Sequence, residues 1–242
     1  RRVLFRSVVS GDTLSFMNPT PTDGSGVYGL ISGSYNAATG VLTLSGTATV
    51  AQYQAALRSV TFSSTSDDPT VNNTRLSRSI SWLVTDANSD AVGALTSAVV
   101  TSTVNVTAVN DRPVATAGAS LSYTEQGTAA VIDNAIVLSD LDDTQMTGAV
   151  VTIASVVSGD TLSFTNPTPA DANGVYGLIS GSYNSATGVL TLTGTATVAQ
   201  YQAALRSVTF SSSSDDPTVN NTRLSRSISW TVTDAKSDAV VA

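Results

Sequence analysis

The residues best equipped for chemistry are acidic and fall in three short stretches. Val109-Asn110-Asp111-Arg112-Pro113 carries an amide and a carboxylate, Asp67-Asp68 precedes it, and Asp140-Leu141-Asp142-Asp143 follows it. Carboxylate, amide and backbone oxygens are the hard ligands that calcium takes about six to eight at a time. Arg112 alone offsets the charge within these stretches. Gathered without a cation, the carboxylates would repel one another and raise each other's pKa values. If 109–113 joins two sandwiches whose loops lie at their ends, the stretches meet at that joint. Calcium binding is then the chemistry expected of Asp67, Asp68, Asn110, Asp111, Asp140 and Asp142. The alternative is that Asp and Asn merely close turns through their side chains.

Composition removes most other chemistries. The chain has no cysteine and no histidine, which excludes disulfide frameworks, thiolate nucleophiles, zinc sites of the usual kind and imidazole bases. A glycosidase needs two carboxylates across a cleft, and Asp12 with Asp23 is the pair that could be imagined so, yet both sit beside turn glycines and nothing selects them. The net charge of −7 and pI near 4.3 argue against nucleic acid and against an anionic membrane surface. No apolar run is long enough to span a bilayer. No enzyme activity is expected.

The elements that must position these residues come as a repeat. Ser10 to Phe16 recurs at 158–164, and the offset of 148 residues holds without a gap from Ser7 to Ala94. About nine positions in ten are identical over that span, so the 242 residues divide into a first repeat at 1–108, a linker at 109–112 and a second repeat at 113–242. Residues 1–6 read Arg-Arg-Val-Leu-Phe-Arg, which resembles a translated sequencing adapter and is taken as a scar. Even so, Val3 and Phe5 fall opposite Val151 and Ile153 and can occupy the same strand. Both repeats are expected to be truncated, the first lacking its opening strands and the second its last.

Charged residues are only 12% of the chain, Ser, Thr, Ala, Val and Gly dominate, and the many β-branched residues make strands expected rather than helices. In the second repeat they are expected at 114–116, 121–123, 149–156, 161–164, 176–179, 188–193, 208–210 and 226–232. The long last strand, about 95–109, is visible in the first repeat alone. Gly188 supplies the positive φ of a hairpin turn. Thr197-Val-Ala-Gln200 has capping-box spacing, and Val198, Tyr201, Ala204 and Leu205 recur at helical intervals, so one short helix is expected from Val198 to Leu205. Val198 and Leu205 should pack inward and Gln200 outward. On 226–232, Ile228, Trp230 and Val232 face one way and Ser227, Ser229 and Thr231 the other. Tyr28, Tyr35, Tyr53 and Trp82 could form a sugar platform, but Trp82 lies on the apolar face of its strand and reads as core. The sequons at Asn72 and Asn105 match by pattern only.

The order of motifs is a Val-Asn-Asp-x-Pro joint, Tyr123-Thr-Glu125, an Asp140-x-Asp142 turn, the hairpin Ala-Thr-Gly188-Val-Leu-Thr-Leu and the helix Tyr201-Gln-Ala-Ala-Leu-Arg206. It resembles the cadherin-like tandem repeats of large bacterial surface adhesins, the repeats-in-toxin-type extracellular proteins, over nearly the whole chain. The resemblance implies an all-β chain of two tandem Ig/cadherin-like antiparallel β-sandwiches, each with one short inserted helix. It implies Ca2+ between successive domains, with Asp67 and Asp68 in the lower loop, Asn110 and Asp111 in the linker, and Asp140 and Asp142 in the upper turn. Asp234 would be a further upper carboxylate. The lower motif departs from the usual Leu-Asp-Arg-Glu; a separate lower-end Glu of the first repeat would be missing with its opening strands, and its counterpart in the second repeat is Glu125. Asp86, Asp90, Asp215 and Asp216 would belong to sites completed by other repeats.

The function implied is a calcium-stiffened structural repeat of an extracellular adhesin, holding a distal binding domain out for cell-surface or biofilm adhesion. Its partners would be neighbouring repeats and, through other domains, cell-surface glycans or proteins. A different class of function is a calcium-dependent carbohydrate-binding module of a secreted polysaccharide-degrading protein.

Overall fold

A computed structural model describes residues 8–87 and 93–235 in full and residues 2–5 by their backbone. Asp90 and the side chains of Val3 and Phe5 lie outside the described residues. Among the described residues the chain is all-β and antiparallel apart from two short helices, and it divides into two compact units, one ending at Val109 and the other beginning at Asn110.

The first unit contains strands β1 (Arg2–Phe5), β2 (Asp12–Ser15), β3 (Ser32–Asn36) and β4 (Val41–Ser45), helix α1 (Val50–Arg58), and strands β5 (Thr61–Ser64), β6 (Ser77–Leu83) and β7 (Val100–Asn105). One sheet runs β3-β4-β1-β6-β7, and β2 pairs with β5 in a second. The second unit contains β8 (Val114–Thr116), β9 (Ala130–Val131), β10 (Val137–Ser139), β11 (Gln145–Ala154), β12 (Asp160–Ser163), β13 (Ser180–Asn184), β14 (Val189–Thr197), α2 (Val198–Arg206), β15 (Thr209–Ser212) and β16 (Ser227–Asp234). Its larger sheet runs β13-β14-β11-β16; β12-β15-β9 and β10-β8 form smaller ones. β1 takes the place that β11 takes in the other unit: Val3 stands opposite Leu42 and Trp82, as Val151 stands opposite Leu190 and Trp230.

Period-2 patterning decides which face is buried. On β16, Ile228, Trp230 and Val232 pack on the core while Ser227, Ser229 and Thr231 are exposed. Trp82 likewise packs against the core of its own unit. On β11, Met146 and Ala149 are both buried although three residues apart, which a regular strand would put on opposite faces. A register shift between Met146 and Gly148 reconciles them. The bulge also brings the end of β16 to Met146, opposite Asp234.

The helix forms as its cap foretells. Thr197 Oγ1 accepts from Gln200 N at 3.2 Å, and Gln200 Oε1 accepts from Thr197 N at 2.9 Å. Tyr201, Ala204 and Leu205 are its buried residues. Gln200 does not simply face outward: its Nε2 donates to Ala172 O at 2.8 Å and Gly174 O at 2.9 Å. One side chain thus caps a helix and pins the irregular 166–174 loop, and Gln52 does the same in the first unit. Gly177, with φ +53, leaves no room for a Cβ, which would meet the Gln200 amide at 2.9 Å.

Three expected strands differ. Residues 176–178 are turns because their carbonyls go to side chains and loop bonds: Asn166 Nδ2 donates to Gly177 O and Ile179 O, so the strand begins at Ser180. Residues 121–123 are not a strand, since Asp133 takes the nearby N–H groups of Gly118 and Ala119 and Tyr123 bonds through its hydroxyl instead. The last strand of the first unit shortens to Val100–Asn105, with a separate bridge between Thr85 and Thr96.

Thr197→Ala removes the acceptor for the Gln200 N–H and loosens the Gln200 side chain that holds the loop. It should cost roughly 0.5–2 kcal/mol, measured as a lower urea midpoint with an unchanged m value.

Candidate functional site

The acidic turn of the second unit is built on Asp140. Its Oδ1 accepts the N–H groups of Asp142 at 3.2 Å and Asp143 at 3.0 Å, closing an Asx turn. The turn holds Asp142 and Asp143 inward, and both are buried. Asp142 Oδ2 accepts from Asp111 N at 2.8 Å, so the turn is tied to the residues following Val109. Asn110 Nδ2 donates to Asp234 Oδ2 at 3.1 Å, and Thr147 Oγ1 donates to Asp234 O at 2.7 Å, beside the β11 bulge. The sequence-predicted residues Asn110, Asp111, Asp140, Asp142 and Asp234 are therefore linked into one end of this unit.

The electrostatics there are unfavourable as they stand. Among the described residues, Asp140 Oδ2 and Asp142 Oδ1 are buried without a hydrogen-bond partner. Burial pushes the Asp142 carboxyl up to about 6; the Asp111 N–H opposes this, and Asp140 and Asp143 drive it further the same way. A buried carboxylate oxygen lacking a donor is costly, and a divalent cation is a group that satisfies several at once. Among the described residues no group of three or more acidic side chains already stands in a metal-ligating arrangement. A calcium shell would draw on these two oxygens together with amide and backbone oxygens.

Asp67 and Asp68 belong to the other unit. Asp67 is exposed. Asp68 closes a turn: its carboxylate accepts from Asn72 N, at 3.1 and 3.0 Å to its two oxygens, and from Asn72 Nδ2 at 3.3 Å. The turn it holds places Val71, Asn72 and Asn73 at φ of 51, 50 and 60°, a left-handed run that a β-branched residue adopts only under constraint. Asp216 and residues 219–221 repeat this arrangement. Asp215 accepts from Gln126 Nε2 at 2.8 Å. Asp86 Oδ1 accepts from Leu95 N at 3.0 Å.

Three acidic residues, Asp12, Asp160 and Asp133, have roles that local sequence did not disclose. Asp12 forms an ion pair with Arg78 with both side chains at 0% exposure, and Asp160 forms the matching pair with Arg226, whose side chain is 11% exposed. Arg78 also donates to the carbonyls of Arg75 and Pro69. Asp12 is thereby removed from any glycosidase pair, and Asp23 closes its own turn on Ser25 N. Asp133 accepts from Gly118, Ala119 and Ala135 N–H groups, and these bonds, Gly118's first, hold its carboxyl below the usual range despite burial. The alternation and spacing of the chain carry no sign of either role. The one available signal for the ion pairs was that Asp12 and Arg78 both recur in the second copy.

A stretch of 117 residues, 48% of this chain, is 38% identical to halomucin of Haloquadratum walsbyi (strain DSM 16790 / HBSQ001), and the match covers 1% of that protein. The chain thus resembles a small part of a very large protein, which is compatible with an extracellular, repeat-built surface protein. No family model and no solved structure matches it. Among the described residues no helix is long and apolar enough to cross a membrane.

Two outcomes follow from these electrostatics. Arg78→Met leaves Asp12 buried and unpaired, and should cost about 3–5 kcal/mol in urea unfolding; the added change Asp12→Leu should recover much of that loss. Asp142 ionises less readily when folded than its ordinary value of 3.8, so the folded state binds more protons between the two pKa values. With divalent cations chelated, its contribution makes stability fall as pH rises from about 4 to about 6 and then level off. Asp142→Asn should remove that part of the slope, read as the wild-type minus variant difference in melting temperature across the range.

Proposed function

We propose that the chain is a calcium-stiffened structural repeat of an extracellular cadherin-like adhesin, which extends a distal binding domain for cell-surface or biofilm adhesion. The observation that carries this reading is the pair of buried, donorless carboxylate oxygens on Asp140 and Asp142, in a turn bonded to Asp111. Asn110, Asp111, Asp140, Asp142 and Asp234 would hold the ion. Bound calcium supplies positive charge and several oxygen-directed bonds where the chain now has like charges together. Asn110 and Asp111 immediately follow Val109, so a cation held there fixes the residues through which one repeat continues into the next. The near identity of the two copies suits a part whose task is length.

The carbohydrate-binding reading has no comparable support. Tyr35 and Tyr53 donate their hydroxyls to Asp12 O and Gly46 O, and Tyr28 packs edge-on against Phe16, so these rings are spent inside their unit. The partial likeness to halomucin supports the surface-protein part of the proposal.

Calorimetric titration of the chelated chain tests it. Calcium should bind with measurable heat, magnesium far more weakly because it demands tighter octahedral geometry, and sodium not at all. Calcium at about a hundredfold over its Kd should add about 2.7 kcal/mol of stability. Asp142→Asn should melt higher than the wild type without calcium, because a repelling charge is gone, yet gain little from calcium. No heat of binding, or an equal calcium response in the variant, would return these residues to the rank of turn formers.

A further inference from the structure

The left-handed turns carry a chemistry that neither the ion pairs nor the acidic end uses. Each holds an Asn-x-Thr sequon, Asn72-Asn73-Thr74 in the first unit and Asn220-Asn221-Thr222 in the second. Asparagine with threonine two residues on is the acceptor pattern for N-linked sugar, and so bulky a group needs an acceptor at the surface. Both acceptor asparagines are exposed. The backbone around Asn220 is held from several sides. Arg223 N donates to Thr218 O at 2.8 Å and Thr222 N to Val219 O at 3.2 Å. Asp216 accepts from Asn220 N at 3.1 and 2.8 Å, and Arg226 Nη2 donates to Pro217 O at 2.6 Å. None of these bonds uses the Asn220 side-chain amide. Thr74 and Thr222 each donate Oγ1 to the carbonyl of Val71 or Val219 at 2.6 Å, so acceptor and hydroxyl share one tight turn.

The third sequon, Asn105-Val106-Thr107, is built differently. Asn105 ends β7 opposite Ser77, and Val106 N donates to Leu76 O at 2.9 Å. An enzyme that draws this segment into its own cleft must first open the ladder, and local opening costs free energy. We infer that Asn72 and Asn220 are acceptors of N-linked glycan on the folded chain and that Asn105 is not. The donor is an oligosaccharide carried on a lipid phosphate or pyrophosphate. The bond from Nδ2 to sugar C1 forms as the bond from C1 to the phosphate oxygen breaks. Nδ2 gives up one proton, and the lipid phosphate leaves with the bonding electrons. An amide nitrogen carries two hydrogens, so the product keeps one. Asn72 Nδ2 donates to Asp68 Oδ2 at 3.3 Å, which the remaining N–H can still do, and the backbone bonds of the turn are untouched. Each repeat would then carry a sugar at the same loop. The inference is independent of calcium binding.

Its test incubates the full chain with an oligosaccharyltransferase that requires only Asn-x-Ser/Thr, its metal and a lipid-linked oligosaccharide. Products are read by intact mass and peptide mapping. Glycan is expected at Asn72 and Asn220. Transfer to Asn105 should be at least about tenfold slower, because the β6–β7 ladder must open first. Synthetic peptides of residues 68–78 and 101–109, which lack that ladder, should react at similar rates. Thr222→Ala should lose the Asn220 glycan and keep the one at Asn72, while Thr222→Ser, which retains a hydroxyl, should keep both. Absence of glycan from both turns would overturn the assignment. So would transfer to Asn105 as fast as to Asn72, the same preference already present in the peptides, or an Asn220 glycan surviving Thr222→Ala.

Discussion

An arginine withdrawn from water must have its donors met by acceptors in fixed directions, and in each unit the strands and loops are arranged to meet that demand. Arg78 reaches Asp12 on β2 and the carbonyls of Pro69 and Arg75, so one side chain joins β6, β2 and both ends of the left-handed turn at 71–73. That turn would be strained if free. It persists because Asp68 holds it from outside and Arg78 from within. The Asp12 backbone carbonyl, in turn, accepts the Tyr35 hydroxyl from β3. Asp160, Arg226 and Tyr183 repeat the arrangement in the second unit.

The acidic end of the second unit is built on the opposite principle. At Asp12 the carboxylate has its counter-ion within the fold; at Asp140 and Asp142 backbone N–H groups supply donors to one oxygen each, and among the described residues no ion pair is formed there. The Asx turn and the bond from Asp111 organise the carboxylates without neutralising them, and burial, with Asp140 and Asp143 alongside, pushes the Asp142 carboxyl up. A fold that satisfies its buried arginine so fully, yet leaves two carboxylate oxygens without donors, places its deficit at one end, beside the residues that lead from repeat to repeat.

The two copies also serve as controls for each other. Residues 78–82 on β6 and the identical 226–230 at β16 differ in exposure, Arg78 and Ser81 being buried and Ser229 exposed, and among the described residues β7 lies beside the first set alone. Edge strands with unpaired backbone are a liability.

Periodicity and turn chemistry in the sequence by themselves determined the all-β class, the inward set Ile228, Trp230 and Val232, the hairpin at Gly188 and the helix cap at Thr197, because each depends on residues within a few positions of one another. They also marked Asn110, Asp111, Asp140 and Asp142 as a group, since their oxygen chemistry and order along the chain are local facts. Tertiary structure alone decided that Asp12 belongs to Arg78, 66 residues away, that Gln200 pins a loop rather than facing water, and that residues 176–178 turn because Asn166 and Gln200 take the carbonyls around them. It also decided that Asp68 closes a turn while Asp142 is buried short of donors. Two adjacent-looking acidic motifs thus part company for a reason that no spacing encodes: desolvation, and the supply of hydrogen-bond donors, are set by which distant segments the fold brings alongside.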